Sequence, residues 1–429
     1  MPKQQTTKKT TTNITESKQA KTNILLAQNE FSSALFSQVV DESAVDSNVI
    51  ISPFSIYLAM INCMMATGGN TLKEMINGLF LKDSFDSCKM NDFNEQFQQW
   101  KESELKQYST MIKKIVQNQD VLSIANRIYV EKSVDIKSEF IQELEDQFDS
   151  ETQLANFKNG TKSEVSKINN WVASITKNSI RNLITELDKE TLMVLVNAIY
   201  FNGKWKHQFL KNRTVETAFR TVKDPEGDST NCQMMSLEDC KSNFYFEEIE
   251  DCHILKLPYT DEDYCMLIIK PDDSIDVDEE NEISFNKWIN SKLTDITQIY
   301  PKEMVKMRKI RIPKFKFEKQ FANIISKMSG NPFNIKSLFN SNTADFSNML
   351  SNPNTDGIYV DQIIHKACIE VDECGTVASA ATAISARKKS KSSSSEKVYE
   401  FIADRPFAFV LNHIPTQSVL FVGKINQIN

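Results

Sequence analysis

Histidine is scarce: four residues, at 207, 253, 365 and 413, serve a chain of 429. No metal-ligand spacing and no phosphate-cradling loop accompany them, so metal-dependent and nucleotide-driven catalysis are disfavoured and no cofactor is expected. No run of 18 apolar residues occurs, which argues against a membrane-spanning helix. Residues 1–22, dominated by Thr, Lys and Gln, lack the apolar stretch of a secretory signal and read as a disordered polar tail. No linker and no internal repeat divides the remainder of the chain, so residues 23–429 read as one domain, with the acidic segment at 272–282 and the turn-like 224–230 as surface loops. The net charge of −7 argues against wholesale binding to nucleic acid. Eight cysteines, at 63, 88, 232, 240, 252, 265, 368 and 374, lie far apart in a chain too large to need stapling. With no signal segment they read as reduced thiols, and the expected location is the cytoplasm or nucleus. The sequons at Asn13, Asn159 and Asn212 would matter only after export by an unconventional route.

What is present is a mixed pattern of helices and strands. Residues 25–40 carry Leu26, Phe31, Leu35, Phe36 and Val39 on one side of a helix. Ser52-Pro53-Phe54-Ser55 opens a second helix, apolar nearly all round and therefore buried, with Pro at an early position and the two serines as candidate caps. Across 94–117 a single mixed-charge helix is expected; Lys106, Lys113 and Lys114 alternate there with Glu102 and Glu104, as on a solvated face rather than a polyanion site. Further helices are expected over 137–148 and 163–177, and strands over 121–130, 311–317, 358–371, 407–411 and 419–422. The run 192–201 is apolar on both faces except at Asn197, as in a central strand. In the 358–371 strand, Ile363, Ala367, Ile369 and Val371 share a face with His365. A buried Asn or His must find partners or cost about 1–3 kcal/mol.

The chain is organised around E-C-G-T-V-A-S-A-A-T-A-I-S-A-R-K-K-S, residues 373–390. Residues 375–386 are almost wholly Gly, Ala, Ser and Thr, only Val377 and Ile384 being larger. A cationic knot, R-K-K-S-K, and the serine run 392–395 come next. Such a stretch is too poor in apolar bulk to anchor itself and is expected to be an exposed loop, over about 373–400. Its small side chains would nevertheless fit as a strand between two others. The basic knot taken alone also suits a nuclear-localisation patch or a solvated surface loop.

Around this loop the chain resembles the serpins, through N-V-I-I-S-P-F-S-I (48–56), L-V-N-A-I-Y-F-N-G-K-W (195–205), R-I-P-K-F-K-F (311–317), E-C-G-T-V-A-S-A-A-T (373–382), D-R-P-F-A-F (404–409) and L-F-V-G-K-I (420–425). The resemblance, in family order and spacing, runs from about residue 24 to the C-terminus. It implies an α+β fold of three β-sheets and eight to nine helices with an exposed reactive-centre loop, in a monomer. It implies a suicide-substrate inhibitor of serine proteases: the protease acylates itself on the loop, and the cleaved loop inserts into the central sheet as a new strand. The family's hinge falls on Gly375, Thr376, Val377, Ala378, Ser379, Ala380, Ala381 and Thr382. Thr376 would leave solvent first and lead the insertion. Two departures mark this hinge: Val377 stands where an acidic residue is common, and Cys374 precedes the glycine.

By the same resemblance Ser52, Ser55, Asn197 and His365 form the region over which sheet strands slide apart. Trp205, Lys314 and Glu373 mark the top of the sheet, where Lys314 would pair with Glu373. Family spacing counts seventeen residues from the root Glu373 to Lys389, so the reactive bond would be Lys389–Ser390, with Arg387 or Lys388 as alternatives. All three are basic, which implies a trypsin-like target with a Lys/Arg preference, held covalently. Competing readings are cross-class inhibition of a papain-like cysteine protease, and a non-inhibitory serpin acting as chaperone or carrier.

Overall fold

The computed structural model describes the chain except for residues 1–22, 86–92, 222–228, 239, 241, 250, 273, 275–283, 296–298, 322–323, 353–356, 377–396 and 429. The helices are α1 (Asn23–Asp41), α2 (Pro53–Ala66), α3 (Gly69–Gly78), α4 (Phe93–Trp100), α5 (Lys106–Ile115), α6 (Ser138–Phe148), α7 (Phe157–Ile175), α8 (Phe285–Lys292) and α9 (Ile324–Ser329). The strands are β1 (Val49–Ile51), β2 (Leu122–Glu131), β3 (Glu151–Ala155), β4 (Met193–Phe201), β5 (Gly203–Lys204), β6 (Val215–Phe219), β7 (Thr230–Glu238), β8 (Asn243–Ile249) and β9 (Cys252–Pro258). They continue as β10 (Tyr264–Pro271), β11 (Met304–Pro313), β12 (Phe315–Phe321), β13 (Gln362–Val371), β14 (Gly375–Thr376), β15 (Tyr399–Ile402), β16 (Phe407–His413) and β17 (Ser418–Ile425). The class is α+β.

Seven strands make one sheet, in the order β3-β2-β4-β13-β14-β5, with β12 on the far side of β13. The other ten form one network, β1-β17-β16-β10-β9-β8-β11-β7-β6, with β15 also on β11. That network joins two of the three expected sheets through a single strand. The first residues of β11 pair with β8, and its last five with β7, while β15 lies along its other edge.

The seven-stranded sheet is covered on both faces, and its sequence pattern says why. Strand β4 is buried at every residue. One of its faces meets the main core with α2, all fourteen of whose residues are buried. Its other face, Val194, Val196 and Ala198, packs with Ala125, Ile364 and Cys368 against Phe157, Ile168 and Val172 of α7. Burying each of those larger side chains stabilises the sandwich by about 1.5–3 kcal/mol. Strand β13 shows the same split: Ile363, Ala367, Ile369 and Val371 face the main core, Ile364 and Cys368 the α7 side.

Several expectations about the elements need correction. Leu26, expected on one face of α1 with Phe31, Leu35, Phe36 and Val39, is 51% exposed while those four are buried. The strand expected from 358 begins at Gln362. The helix expected from 163 begins at Phe157 and bends at Gly160, whose φ of −150° and ψ of 29° are not helical. The helix expected across 94–117 is α4 and α5 joined by a π-helical stretch, Lys101–Leu105, so it is one rod with an irregular middle. The motif R-I-P-K-F-K-F is two strands in two different networks, and Lys314 lies between them. Pro313 has no N–H to continue a ladder, and the Lys314 N–H turns away to Gln233 O at 2.8 Å.

Candidate functional site

The central feature is a seam. Strands β4 and β13 lie parallel and pair from Gln362↔Val194 to Ala367↔Ile199. Above that point they part. After Val371 the chain turns through residues 372–375, and β14 runs back beside β13 with Val371 opposite Thr376. The other edge of β14 pairs with β5, Gly375 opposite Lys204 and Thr376 opposite Gly203. A two-residue strand thus sits as a wedge between β13 and the continuation of β4.

This corrects the expectation that Thr376 starts in solvent. It is fully buried, and its hydroxyl shares a 2.7 Å hydrogen bond with the Tyr259 hydroxyl. Gly375 is required there by close approach: a Cβ would lie 2.0 Å from Gly203 O and 2.7 Å from Lys204 Cα. The remaining hinge residues Val377, Ala378, Ser379, Ala380, Ala381 and Thr382 lie outside the described residues. So do the cationic residues Arg387, Lys388 and Lys389, together with Ser390.

Below the wedge the seam is clasped by polar side chains. His365 and Asn197 are direct neighbours in the β13–β4 register, both fully buried. His365 Nε2 accepts from the Ser52 N–H at 3.4 Å, so its proton is on Nδ1, which donates to Asn197 Oδ1 at 2.6 Å. Asn197 Oδ1 also accepts from Ser55 Oγ at 2.8 Å, and Asn197 Nδ2 donates to Ser55 O at 2.9 Å. Every polar atom of the pair is satisfied, as burial demands. Ser52 itself is the N-cap of α2, accepting from the Ser55 N–H at 3.3 Å. Burial holds the His365 imidazole neutral, its pKa lowered to about 3. Its Nε2 is committed to a backbone donor, and the Ser52 and Ser55 hydroxyls beside it are as fully buried as the ring, so the cluster clasps the seam.

At the top, the turn that leads into β14 is strapped down. Trp205 N–H donates to Cys374 O at 2.9 Å, its indole N–H to Asp372 O at 3.0 Å, and Phe209 N–H to Glu373 O at 2.9 Å. The indole stacks on Tyr259 with centroids 4.5 Å apart and a 14° tilt. Asp372 accepts from the N–H groups of Cys374 and Gly375, at 2.8 and 3.1 Å.

The Glu373 side chain is only 4% exposed and lies 3.0 Å from Lys314 Nζ, with Thr214 Oγ1 donating to it at 2.7 Å. Burial raises the cost of its charge. The Thr214 hydroxyl, its own backbone N–H and the Lys314 ammonium outweigh that, and the carboxyl titrates below its usual range. Residues that pattern alone did not single out, Tyr259, Thr214, Phe209 and Asp372, carry much of this strapping. Only Gly203, in a motif where a Cβ would strike the Phe201 and Tyr259 rings, left a mark in the sequence.

Among the described residues there is no cluster of side chains fit to hold a metal, and no helix long and apolar enough to cross a membrane. Cys63, Cys232, Cys265, Cys368 and Cys374 are free thiols. Fold and site therefore define a scaffold that holds the root of a long segment inside an opening of its own central sheet.

Comparison with known proteins gives that scaffold a family. Residues 26–428 match the family model described as Serpin (serine protease inhibitor). The chain is 31% identical over 404 residues to serpin B10 of Bos taurus, covering 91% of this chain and 96% of that one. It is 30% identical over 403 residues to leukocyte elastase inhibitor A of Rattus norvegicus, covering 93% and 98%. Among solved structures it is similar to a tumour-suppressing serpin, with a TM-score of 0.73 and 25% identity over 94% of this chain and 98% of that one. It is also similar to tengpin, a thermophilic serpin in its native state, with a TM-score of 0.74 and 25% identity over 96% of each. The chain belongs to the serpin family.

Proposed function

We propose that this serpin is a suicide-substrate inhibitor of trypsin-like serine proteases. The observation that carries the reading is the wedge: β14 is the start of a strand already seated between β13 and β5, and the residues beyond it in sequence, to Ala386, are small except for Val377 and Ile384. Cleavage beyond them would free that strand to continue down the seam. The six register pairs of β4 with β13 would be replaced by ladders from the new strand to both neighbours. At about 0.5–1.5 kcal/mol net per hydrogen bond, the gain reaches many kcal/mol. From Thr376 to Lys389 the inserted segment would carry an acylated protease about 45 Å. Trapping succeeds if that passage outruns hydrolysis of the acyl bond.

The target class rests on Arg387, Lys388 and Lys389, with Lys389–Ser390 as the reactive bond. A long cation ahead of the scissile bond suits the acidic specificity pocket of a trypsin-like enzyme. The free thiols support a cytoplasmic or nucleocytoplasmic setting. Incubation with trypsin-like and cathepsin-like proteases tests the reading: an SDS-stable covalent complex is expected with the former. Arg387→Ala, Lys388→Ala and Lys389→Ala combined should abolish that complex and leave the fold intact. Full inhibition of a trypsin-like protease by the triple variant would remove the target assignment.

A further inference from the structure

The edge of the seven-stranded sheet that faces away from the seam is only half covered. Strand β3 pairs with β2 from Arg127↔Glu151 to Glu131↔Ala155 and no further. The backbone alternation of β2 is fixed by bonds on both sides. Odd residues point to β4: Glu131 N–H donates to Leu192 O, and Val121 O accepts from Asn202 N–H. Even residues point to the β3 edge: Lys132 N–H donates to Ala155 O, and Asn126 O accepts from Ser150 Oγ. Leu122, Ile124 and Asn126 therefore aim their backbone groups at an edge where β3 is missing. The Leu122 N–H is capped by Asn118 O at 2.9 Å. That leaves Leu122 C=O, both groups of Ile124 and the Asn126 N–H with no strand partner among the described residues.

This open edge forms one wall of a cleft of 360 Å3, bounded by α2, the end of α5, the residues between α6 and β3, and the end of α7, and open on the side of the exposed Asp120, Asp149 and Lys177. Apolar side chains, among them Ile112, Phe148 and Ile175, line it. Asn62 and Asn126 line it too, linked through Ser150: Asn62 Nδ2 donates to Ser150 Oγ at 3.0 Å, and that hydroxyl donates to Asn126 O at 3.3 Å. Asn62 is 1% exposed, yet its Oδ1 has no hydrogen-bond partner among the described residues, and neither does Asn126 Nδ2. A buried acceptor and a buried donor left unmet on one wall are expensive unless something fills them.

We propose that this cleft is a docking site for a short extended peptide that adds to the sheet edge alongside residues 122–126, in line with β3. The occupant is a strand, because the unmet backbone groups alternate along an edge and only an extended backbone offers donors and acceptors at that spacing. The open stretch, about 13 Å from Leu122 to Asn126, accommodates four residues. One of its side chains is a carboxamide, whose C=O accepts from Asn126 Nδ2 while its NH2 donates to Asn62 Oδ1. Its apolar side chains pack against the cleft wall. Each carboxylate at the mouth has a cationic partner, Lys177 for Asp120, Arg127 for Glu151 and Lys113, from beyond the lining, for Asp149, so a neutral peptide fits best.

The probe is the blocked peptide acetyl-Val-Gln-Val-Ser-amide added to the full-length protein. Binding with a Kd of about 1 mM or tighter is expected, with slowed amide exchange at Ile124 and Asn126. N-methylation of one alternate pair of peptide amides should abolish binding, and of the other pair should not. Replacing Gln by norleucine should weaken binding about tenfold, the worth of the carboxamide bonds. Asn62→Leu should erase the preference for Gln over norleucine; should that variant fail to fold, the peptide pair on the natural chain reads the same contact. Unchanged exchange at Ile124 and Asn126 under excess peptide, or equal binding of all the N-methylated forms, would overturn the proposal.

Discussion

Tyr259 and Thr376, 117 residues apart, share a 2.7 Å hydrogen bond in a site from which water is excluded. One lies just beyond the end of β9, the other in the wedge, so the bond ties the root of the loop to the second strand network. Tyr259→Phe leaves the Thr376 hydroxyl buried and unmet and should lower stability by about 1–3 kcal/mol. Thr376→Val added to it removes the orphaned group and should recover most of that loss. Denaturant unfolding of the two singles and the double measures the coupling, and additive losses would count against a shared bond.

Gly375 admits no side chain without movement of the β5 backbone. Gly375→Ala should expel β14 from between β13 and β5 and cost about 1–3 kcal/mol. Faster proteolysis of the loop root and faster amide exchange at Thr376 are the expected signs. Exchange as slow as in the natural chain would mean that the wedge tolerates a Cβ.

The Glu373–Lys314 pair is more than a surface contact, because the carboxylate is buried and Thr214 completes its shell. Glu373→Gln keeps an acceptor for Thr214 and should have a mild effect. Glu373→Lys sets two ammonium groups against each other at the top of the seam. It should loosen β14 and promote oligomers formed by insertion of one molecule's loop into another's sheet. Native gels after mild heating read this, and a purely monomeric Glu373→Lys sample would speak against it.

His365 gives the fold a pH dependence. Its pKa falls from the ordinary 6.5 to about 3 on burial, so the unfolded chain binds the extra proton first. Stability is full above pH 6.5 and drains away as pH falls toward 3. Burial lowers His413 to about 4, and it acts in the same sense over an overlapping window. Between pH 6.5 and 5 each histidine should cost about 2 kcal/mol. His365→Gln should remove one proton's worth of slope from a plot of unfolding free energy against pH in that window. An unaltered slope would show that His365 is not held neutral.

Much of the fold and the seam is legible in the residues, because period and polarity are local. Asn197 stands out as the polar residue in an apolar run, and His365 as the polar residue on an otherwise apolar strand face. Nothing local says that Ser55 supplies both a hydroxyl and a carbonyl to Asn197, since those contacts depend on how α2 lies beneath the sheet. The Tyr259–Thr376 bond is set by a long-range register and leaves no periodic trace. Lys314 reads as the middle of one strand because basic and apolar residues alternate straight across the break. Only the missing N–H of Pro313 hints that the chain changes sheets there.

On the proposed mechanism the wedge is the beginning of a strand that the seam accepts in full. Limited cleavage by trypsin after the basic knot, followed by thermal unfolding of intact and cleaved protein, tests it most directly. Insertion adding many kcal/mol should raise the melting temperature by about 10 °C or more. A cleaved protein that melts at the same temperature as the intact one, or below it, would rule out insertion of the strand.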